Sequence, residues 1–281
     1  MPIRRFLVLF LLTLLLPVLP ARGGPPIPWA ALYSDQVTLT ALEPYELLVL
    51  EPRQHPPLRP LIERGKRLLA YLSLGEMARD HPDFPSLQTQ GFLLEENPDW
   101  PGSFMVDVRD LRWTRKVIEE LIPNLLQAGF HGLFLDTLDN PPFLEERDPE
   151  RFHGMTRAAA NLVLTIRLHY PDIPLMINRA YALLPEVGGA LTMVLGESVR
   201  SAWHGASGEY RRVTAEESRQ QVAQLREALR RHPHLQVFTL DYWSPTDRAG
   251  IATLYREQRA LGFHPYVSTR ELDQLVPEPK P

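Results

Sequence analysis

The 281-residue sequence contains no cysteine, which excludes disulfide bonds, thiolate metal sites and a catalytic cysteine. It has no G-x-G-x-x-G segment after its first apolar strand and no P-loop, so nothing supports nucleotide binding. Its histidines lack the paired spacing of metal ligands, and we therefore expect neither a catalytic metal nor another cofactor. The composition is otherwise that of a soluble globular protein, with 44% hydrophobic and 23% charged residues.

The start of the chain follows the plan of a secretory signal peptide. Arg4 and Arg5 form a positive region, residues 6–16 are apolar except for one threonine, and the small residues within 21–23 offer a cleavage site. The apolar run is shorter than the roughly 20 residues that a membrane-spanning helix needs, although an uncleaved anchor is the alternative. We predict a signal peptide at 1–23 and a secreted or periplasmic protein, which contacts a membrane only if this segment stays uncleaved.

The charge of the sequence argues against a nucleic-acid partner. The chain has 30 basic and 34 acidic residues, a net charge of −4, and removal of the three arginines in segment 1–23 leaves −7. Phosphates require a basic face, whereas an acidic protein is compatible with a neutral or amine-bearing substrate. We expect no nucleic-acid partner and a monomer in solution.

After residue 44, short apolar runs alternate with segments of helical spacing. Eight runs are predicted as strands, at 47–51, 68–74, 104–108, 132–136, 175–178, 191–197, 236–241 and 264–268. Their unbroken apolar character indicates burial on both faces and a parallel sheet, and eight units in about 230 residues favour a closed barrel. We predict an α/β protein with one (β/α)₈ TIM-barrel domain at 45–276, after a linker and barrel entry at 24–44 and before a C-terminal tail at 277–281.

Polar residues end most of these predicted strands, where an enzyme of this fold carries its active site. A buried carboxylate is costly unless a partner compensates it, so several acids at one rim favour a functional explanation. The candidate catalytic residues are Asp136 and Glu197, which end the fourth and sixth predicted strands. The candidate substrate-binding residues are Tyr71, Ser73, Glu76, Asp107, Asp139, Asn178, Trp203, Asp241 and Tyr242.

Three of the acids also have structural interpretations. Asp139 precedes an Asn-Pro-Pro turn, Asp107 is placed to cap the helix that follows it, and Glu76 is close enough in sequence to pair with Arg79. Each of these interpretations would remove the residue from the site, and the sequence leaves both open.

Two carboxyl groups at the rim fit glycoside hydrolysis, which needs one ionised and one protonated acid. Asp136 and Glu197 both emerge from apolar strands and can converge from two sides of a polysaccharide substrate. One alternative is a metal-dependent carbohydrate deacetylase, with Asp107, Asp136 and Asp139 as oxygen ligands. Another is a carbohydrate-binding barrel that has lost its activity.

Six segments resemble glycoside hydrolase family 114, the endo-α-1,4-polygalactosaminidase family. They are LLAYLSLGE (68–76), NPDWPGSFMVDVRDLRW (97–113), AGFHGLFLDTLDN (128–140), MIN (176–178), GES (196–198) and TLDYW (239–243). The resemblance implies an enzyme that cleaves α-1,4-linked galactosamine-containing polysaccharide with retention, with Asp136 as nucleophile and Glu197 as acid/base. The sequence departs from the family at His131, where an acidic residue is more usual.

Overall fold

The computed structural model describes residues 25–279, so the predicted signal peptide at 1–23 lies outside the described residues. In chain order the strands are β1 (Trp29–Leu32), β2 (Leu47–Leu50), β3 (Arg67–Ser73), β4 (Glu76–Ala78), β5 (Leu93–Glu96), β6 (Ser103–Val106), β7 (Gly132–Asp136), β8 (Leu175–Asn178), β9 (Met193–Glu197), β10 (Ser201–His204), β11 (Glu209–Arg212), β12 (Gln236–Tyr242) and β13 (His264–Ser268). The helices are α1 (Leu58–Glu63), α2 (Phe84–Thr89), α3 (Leu111–Lys116), α4 (Ile122–Ala128), α5 (Asn140–Arg147), α6 (Met155–His169), α7 (Leu184–Val187), α8 (Ala215–Arg231) and α9 (Arg248–Arg259).

Eight of the strands form one parallel sheet in the order β1-β2-β3-β7-β8-β9-β12-β13. Side chains of β1, β2 and β8 are buried throughout, as expected for strands covered on both faces. The two edges of the sheet approach each other, and the Trp29 indole Nε1 donates to the backbone oxygen of His264 at 2.9 Å. The nearly closed ring confirms the predicted (β/α)₈ TIM barrel.

The structure corrects two parts of the strand assignment. Strand β1 falls inside the segment 24–44 that we assigned to a linker and barrel entry, so the barrel sheet begins at Trp29 rather than at residue 45. The predicted third strand at 104–108 is wrong as a barrel strand. Its counterpart β6 is the middle strand of an antiparallel sheet with β4 and β5, and its first two residues are half-exposed where barrel strands are buried.

The helical layer packs its apolar faces against the barrel. Helix α6 buries Met155, Leu162 and Ile166 at helical spacing, and its opposite face is solvated. Helix α8 begins with a capping box in which the Thr214 hydroxyl accepts from the backbone N–H of Glu217. Among residues 25–279, no helix combines the length and the apolar character needed to cross a membrane.

Candidate active site

A cavity of about 1210 Å³ opens at the carboxyl ends of the barrel strands. Asp136, Asn178 and Glu197 are the last residues of β7, β8 and β9, which are neighbours in the sheet, and all three line the cavity. The sequence placed Asp136 and Glu197 near each other, and the structure brings them to either side of Asn178.

The two acids share one amide group. Asn178 Nδ2 donates to Asp136 Oδ1 at 2.9 Å and to Glu197 Oε2 at 2.7 Å. Because both bonds start at one nitrogen, the two accepting oxygens are separated by no more than 2.9 Å plus 2.7 Å, or about 5.6 Å. The pair is therefore close enough to act on a single glycosidic bond.

Tyr242 holds the second oxygen of Glu197. Its Oη donates to Glu197 Oε1 at 2.6 Å. Burial and the negative charge of Glu197 raise the pKa of Tyr242 well above its usual value, so the phenol keeps its proton and acts as a donor. Both carboxylate oxygens of Glu197 therefore have fixed partners, Tyr242 on one side and Asn178 on the other.

The environment of Asp136 disfavours its charge. Burial and the nearby charge of Glu197 raise the pKa of Asp136 from 3.8 to about 6, although the hydrogen bond from Asn178 opposes the shift. Tyr71 and Tyr33 lie on the same side of the cavity with their ring centroids 5.3 Å apart. Burial and the charge of Asp136 raise the pKa of both phenols. The acid thus lies beside protonated phenols, and no basic side chain among the described residues 25–279 forms an ion pair with it.

Each of the three central residues is followed by a residue in the left-handed backbone region. The φ angles are +64° at Thr137, +49° at Arg179 and +55° at Ser198. Non-glycine residues rarely adopt this conformation, and such strain is concentrated at functional sites. The chain therefore turns immediately above Asp136 and its two neighbours, which leaves the strand-end side chains directed into the cavity.

Ser73 supports the turn after Asp136 instead of lining the cavity. Its hydroxyl donates to the backbone oxygen of Glu76 at 2.7 Å and shares a hydrogen bond of 2.9 Å with the Thr137 hydroxyl. A Cβ on Gly75 would lie 2.2 Å from the Thr137 carbonyl oxygen, so only glycine permits this approach. The predicted substrate-binding residue is thus placed as a link between the ends of β3 and β7.

Glu76 is a buried acid at the edge of the cavity. Its carboxylate accepts from Asn97 Nδ2 and Asn140 Nδ2 at 2.5 Å each and from Ser103 Oγ at 2.7 Å. Arg79, the partner suggested by the sequence, instead pairs with Glu96, with 3.7 Å between its guanidinium nitrogen and the Glu96 carboxylate oxygen. Glu76 therefore joins the end of β5, the start of β6 and the start of α5 at the cavity wall.

Besides Ser73, three predicted substrate-binding residues do not line the cavity. Asp241 is buried on the outer face of β12. Burial alone would raise the pKa of Asp107, but hydrogen bonds from Arg109 outweigh it and lower the pKa. Trp203 lies on the β10–β11 hairpin against Tyr210, with ring centroids 4.9 Å apart.

Asp139, at the cavity rim, was predicted as a substrate-binding residue and lies 3.9 Å from Arg179. Sequence reasoning did not select Tyr33, which directly follows the missed strand β1. It also did not select Arg270, whose guanidinium lies 4.6 Å from the Trp100 ring centroid. The wall of the cavity carries more acids than bases. The acids are Glu76, Asp80, Asp99, Asp136, Asp139, Glu197 and Glu271, and the bases are Arg79, Arg179 and Arg270.

Within residues 25–279, no group of three His, Cys, Asp or Glu residues is arranged to hold a metal ion. The oxygen ligand set of the deacetylase alternative required Asp107 beside Asp136 and Asp139. Asp107 is bound to Arg109 and does not line the cavity, so that set is not assembled.

Residues 28–280 match the family model of glycoside-hydrolase family GH114. The structure is similar to the glycoside hydrolase domain of PelA from Pseudomonas aeruginosa, with a TM-score of 0.79 and 28% identity over 90% of this chain and 99% of that one. It shares its fold with Ega3 of Aspergillus fumigatus, solved in complex with galactosamine, with a TM-score of 0.65 and 15% identity over 93% and 99% of the two chains. An uncharacterized protein of Deinococcus radiodurans is 26% identical over 83% of this chain and 76% of its own length.

Proposed function

The chain belongs to glycoside-hydrolase family GH114, and from that membership we propose that it cleaves α-1,4-linked galactosamine-containing polysaccharide. The likeness to the PelA hydrolase domain supports hydrolysis of a polysaccharide, and the galactosamine bound to Ega3 suggests the sugar to test. The excess of acids over arginines in the cavity supports a substrate with protonated amines, because opposite charges attract within a partly desolvated groove.

We propose a retaining mechanism with Asp136 as the nucleophile and Glu197 as the acid/base. The carboxylate of Asp136 attacks the anomeric carbon while Glu197 gives its proton to the departing glycosidic oxygen, which leaves a glycosyl ester on Asp136. Water then attacks the same carbon, passes a proton to Glu197 and releases Asp136 as a carboxylate. The anomeric configuration is inverted twice and is therefore retained.

The observation that supports this mechanism most is the shared hydrogen bond from Asn178. It limits the separation of the two bonded oxygens to about 5.6 Å. Retaining enzymes hold their carboxyl groups about 5–5.5 Å apart, whereas inverting enzymes need about 6.5–9.5 Å to admit a water molecule. Asn178 donates to both acids, so this hydrogen bond does not distinguish the nucleophile from the acid/base. We assign the two roles from the family resemblance.

We also propose that the enzyme acts outside the cytoplasm after removal of residues 1–23. The positive region and apolar run of this segment support export. Mass measurement of the protein released by the producing cells should give a chain that begins at residue 24. A full-length chain held in the membrane fraction would instead favour the uncleaved anchor.

Cleavage of a purified polymer tests the proposed function directly. Deacetylated α-1,4-polygalactosamine should yield new reducing ends and short oligosaccharides when it is incubated with the enzyme. Glu197→Gln should lower the rate about 10²–10⁴-fold, the usual contribution of a general acid/base. Cleavage should survive EDTA. The deacetylase alternative predicts a different outcome: EDTA-sensitive release of acetate from an acetylated polymer, without new reducing ends. The absence of cleavage by the wild-type enzyme would contradict the proposed function.

A further inference from the structure

Asp241 is a buried carboxylate on the side of β12 that faces away from the cavity. Only 1% of its surface is exposed, and no basic side chain among residues 25–279 forms an ion pair with it within 4.0 Å. Its neighbours Leu240 and Tyr242 both line the cavity, as expected from the alternation of side chains along a strand. A buried charge without a cation requires strong hydrogen bonds to compensate its desolvation.

Those hydrogen bonds come chiefly from the segment that follows Glu197. Asp241 Oδ1 accepts from the backbone N–H groups of Arg200 at 2.6 Å and Ser201 at 2.9 Å. Its Oδ2 accepts from Gln258 Nε2 on α9 at 2.6 Å. The carboxylate thus binds the segment three and four residues after Glu197 and links it to α9.

Two other residues of β12, Leu240 and Tyr242, bond Ser198 and Glu197. The backbone N–H of Ser198, in the left-handed region at φ +55°, donates to the Leu240 carbonyl oxygen at 2.7 Å. Tyr242 donates to the Glu197 carboxylate from inside the cavity. Three consecutive residues of β12 therefore bind Glu197 and the segment after it. Tyr242 bonds the Glu197 carboxylate from the cavity side, the Leu240 backbone oxygen bonds Ser198, and Asp241 bonds Arg200 and Ser201 from the helix side.

We infer that Asp241 is a positioning residue for Glu197, acting through the backbone of residues 198–201. The inference rests on the proposed role of Glu197 and extends it, because Asp241 touches neither the cavity nor the reacting carboxylate. Its charge strengthens two hydrogen bonds to a strained turn, and that turn fixes the orientation of Glu197. A small displacement of an acid/base group lowers the rate of the chemical step more than it weakens substrate binding.

Asp241→Asn removes the negative charge of the side chain and keeps nearly the same side-chain size and shape. The asparagine oxygen can still accept from Arg200 and Ser201, while its Nδ2 faces Gln258. The buried Oε1 of Gln258 has no partner, so rotation of that amide would give the new Nδ2 an acceptor. The rotated Gln258 Nε2 then loses its acceptor, so the variant keeps both backbone bonds, removes their charge assistance and leaves one buried amide N–H unpaired.

On a soluble α-1,4-galactosamine oligosaccharide, Asp241→Asn should lower kcat about tenfold and change KM little. Hydrogen exchange at the Arg200 and Ser201 amides should accelerate relative to the amides of β12. The control is Asp110→Ala, which removes the cap of α3 from an exposed site and should lower Tm without changing kcat. If Asp241→Asn does not fold, Gln258→Met removes one donor and leaves both backbone bonds, and a smaller loss of kcat with faster exchange is expected.

The two readouts separate this inference from the proposed function. A wild-type enzyme that cleaves no substrate contradicts the function, and hydrogen exchange still decides whether Asp241 restrains the turn. Unchanged kcat and unchanged exchange in Asp241→Asn would overturn the inference. It would also be overturned by a variant that loses thermal stability like Asp110→Ala while kcat stays at the wild-type value.

Discussion

The acidic residues inside the cavity and those outside it have different hydrogen-bond partners. Inside, Asp136 and Glu197 face each other, neutral donors and open space. Outside the cavity, Asp241 is saturated by backbone N–H groups and an amide, and Asp107 is bound by Arg109. Among residues 25–279, no basic side chain forms an ion pair with the proposed catalytic pair, whereas the outer acids are bonded into the scaffold.

The largest difference in activity is expected when one acid inside the cavity and one acid outside it are replaced in turn. Asp136→Asn should reduce polymer cleavage below detection, because an amide cannot form the glycosyl ester. Asp107→Asn should leave kcat/KM unchanged, because Asp107 lies outside the cavity. Reducing-end assays on both variants, with folding checked by circular dichroism, measure the difference. Normal cleavage by Asp136→Asn, or loss of cleavage in Asp107→Asn, would reverse the roles of the two sides.

The shared amide between the inner acids offers the next test. Asn178→Ala removes charge-assisted hydrogen bonds to both Asp136 and Glu197. Hydrogen bonds to charged groups contribute about 1.5–3 kcal/mol, so kcat should fall roughly 10- to 100-fold. Asn161→Ala, on the exposed face of α6, is the matched control and should retain full activity. An unchanged kcat in Asn178→Ala would mean that the acids are positioned without the bridge.

Stability against pH distinguishes Asp136 from Asp107 by sign. The pKa of Asp136 is raised in the fold from 3.8 to about 6, so its stabilising contribution is complete below pH 3.8 and is lost as the pH rises through about 6. Asp136→Asn should therefore increase the free energy of unfolding at pH 8 by up to about 3 kcal/mol and should lose this advantage near pH 4. Denaturant unfolding at several pH values measures it.

Asp107 should give the opposite result in the same experiment. Hydrogen bonds from Arg109 lower its pKa despite burial, so its stabilising contribution is present above the unfolded-state pKa and is lost as the pH falls through the folded-state value. Asp107→Asn should therefore destabilise the protein at pH 8. Two variants that shift stability in the same direction at pH 8 would contradict the opposite pKa shifts of Asp136 and Asp107.

The smallest effect is expected from Trp203, which the sequence suggested as a sugar-binding residue. It packs on Tyr210 in the β10–β11 hairpin and does not line the cavity. Trp203→Ala should leave KM for the polymer unchanged in initial-rate assays. A tenfold rise in KM would show that the hairpin contacts bound substrate and that the binding groove extends beyond the cavity.

Much of the barrel could be predicted because a buried parallel strand leaves a simple signal. The run GLFLD at Gly132–Asp136, for example, is apolar up to its last residue, and its first four residues are buried as predicted. Strand β1 has only four residues and lies between a proline-rich stretch and a polar one, so its signal was lost. Strand β6 gave the apolar signal of a barrel strand because its residues Met105 and Val106 are also buried, although they belong to the small antiparallel sheet.

The sequence could predict which residues end the barrel strands, but not which of them face the cavity. Asp136 and Glu197 terminate their strands, and the position of the active site in this fold follows from that. Which of two adjacent residues faces the cavity, such as Asp241 or Tyr242, depends on the register of the whole barrel. A single strand does not contain that information. The structure supplied it by placing Tyr242 inside and Asp241 outside.

The stereochemistry of the first product tests the central claim most directly. Proton NMR of a defined α-1,4-galactosamine oligosaccharide during its first minutes with the enzyme resolves the anomeric signal of the new reducing end before mutarotation. Retention by the closely spaced Asp136 and Glu197 predicts that the α-anomer appears first. If the β-anomer appears first, a water molecule must attack directly, and the account of Asp136 as a nucleophile is wrong.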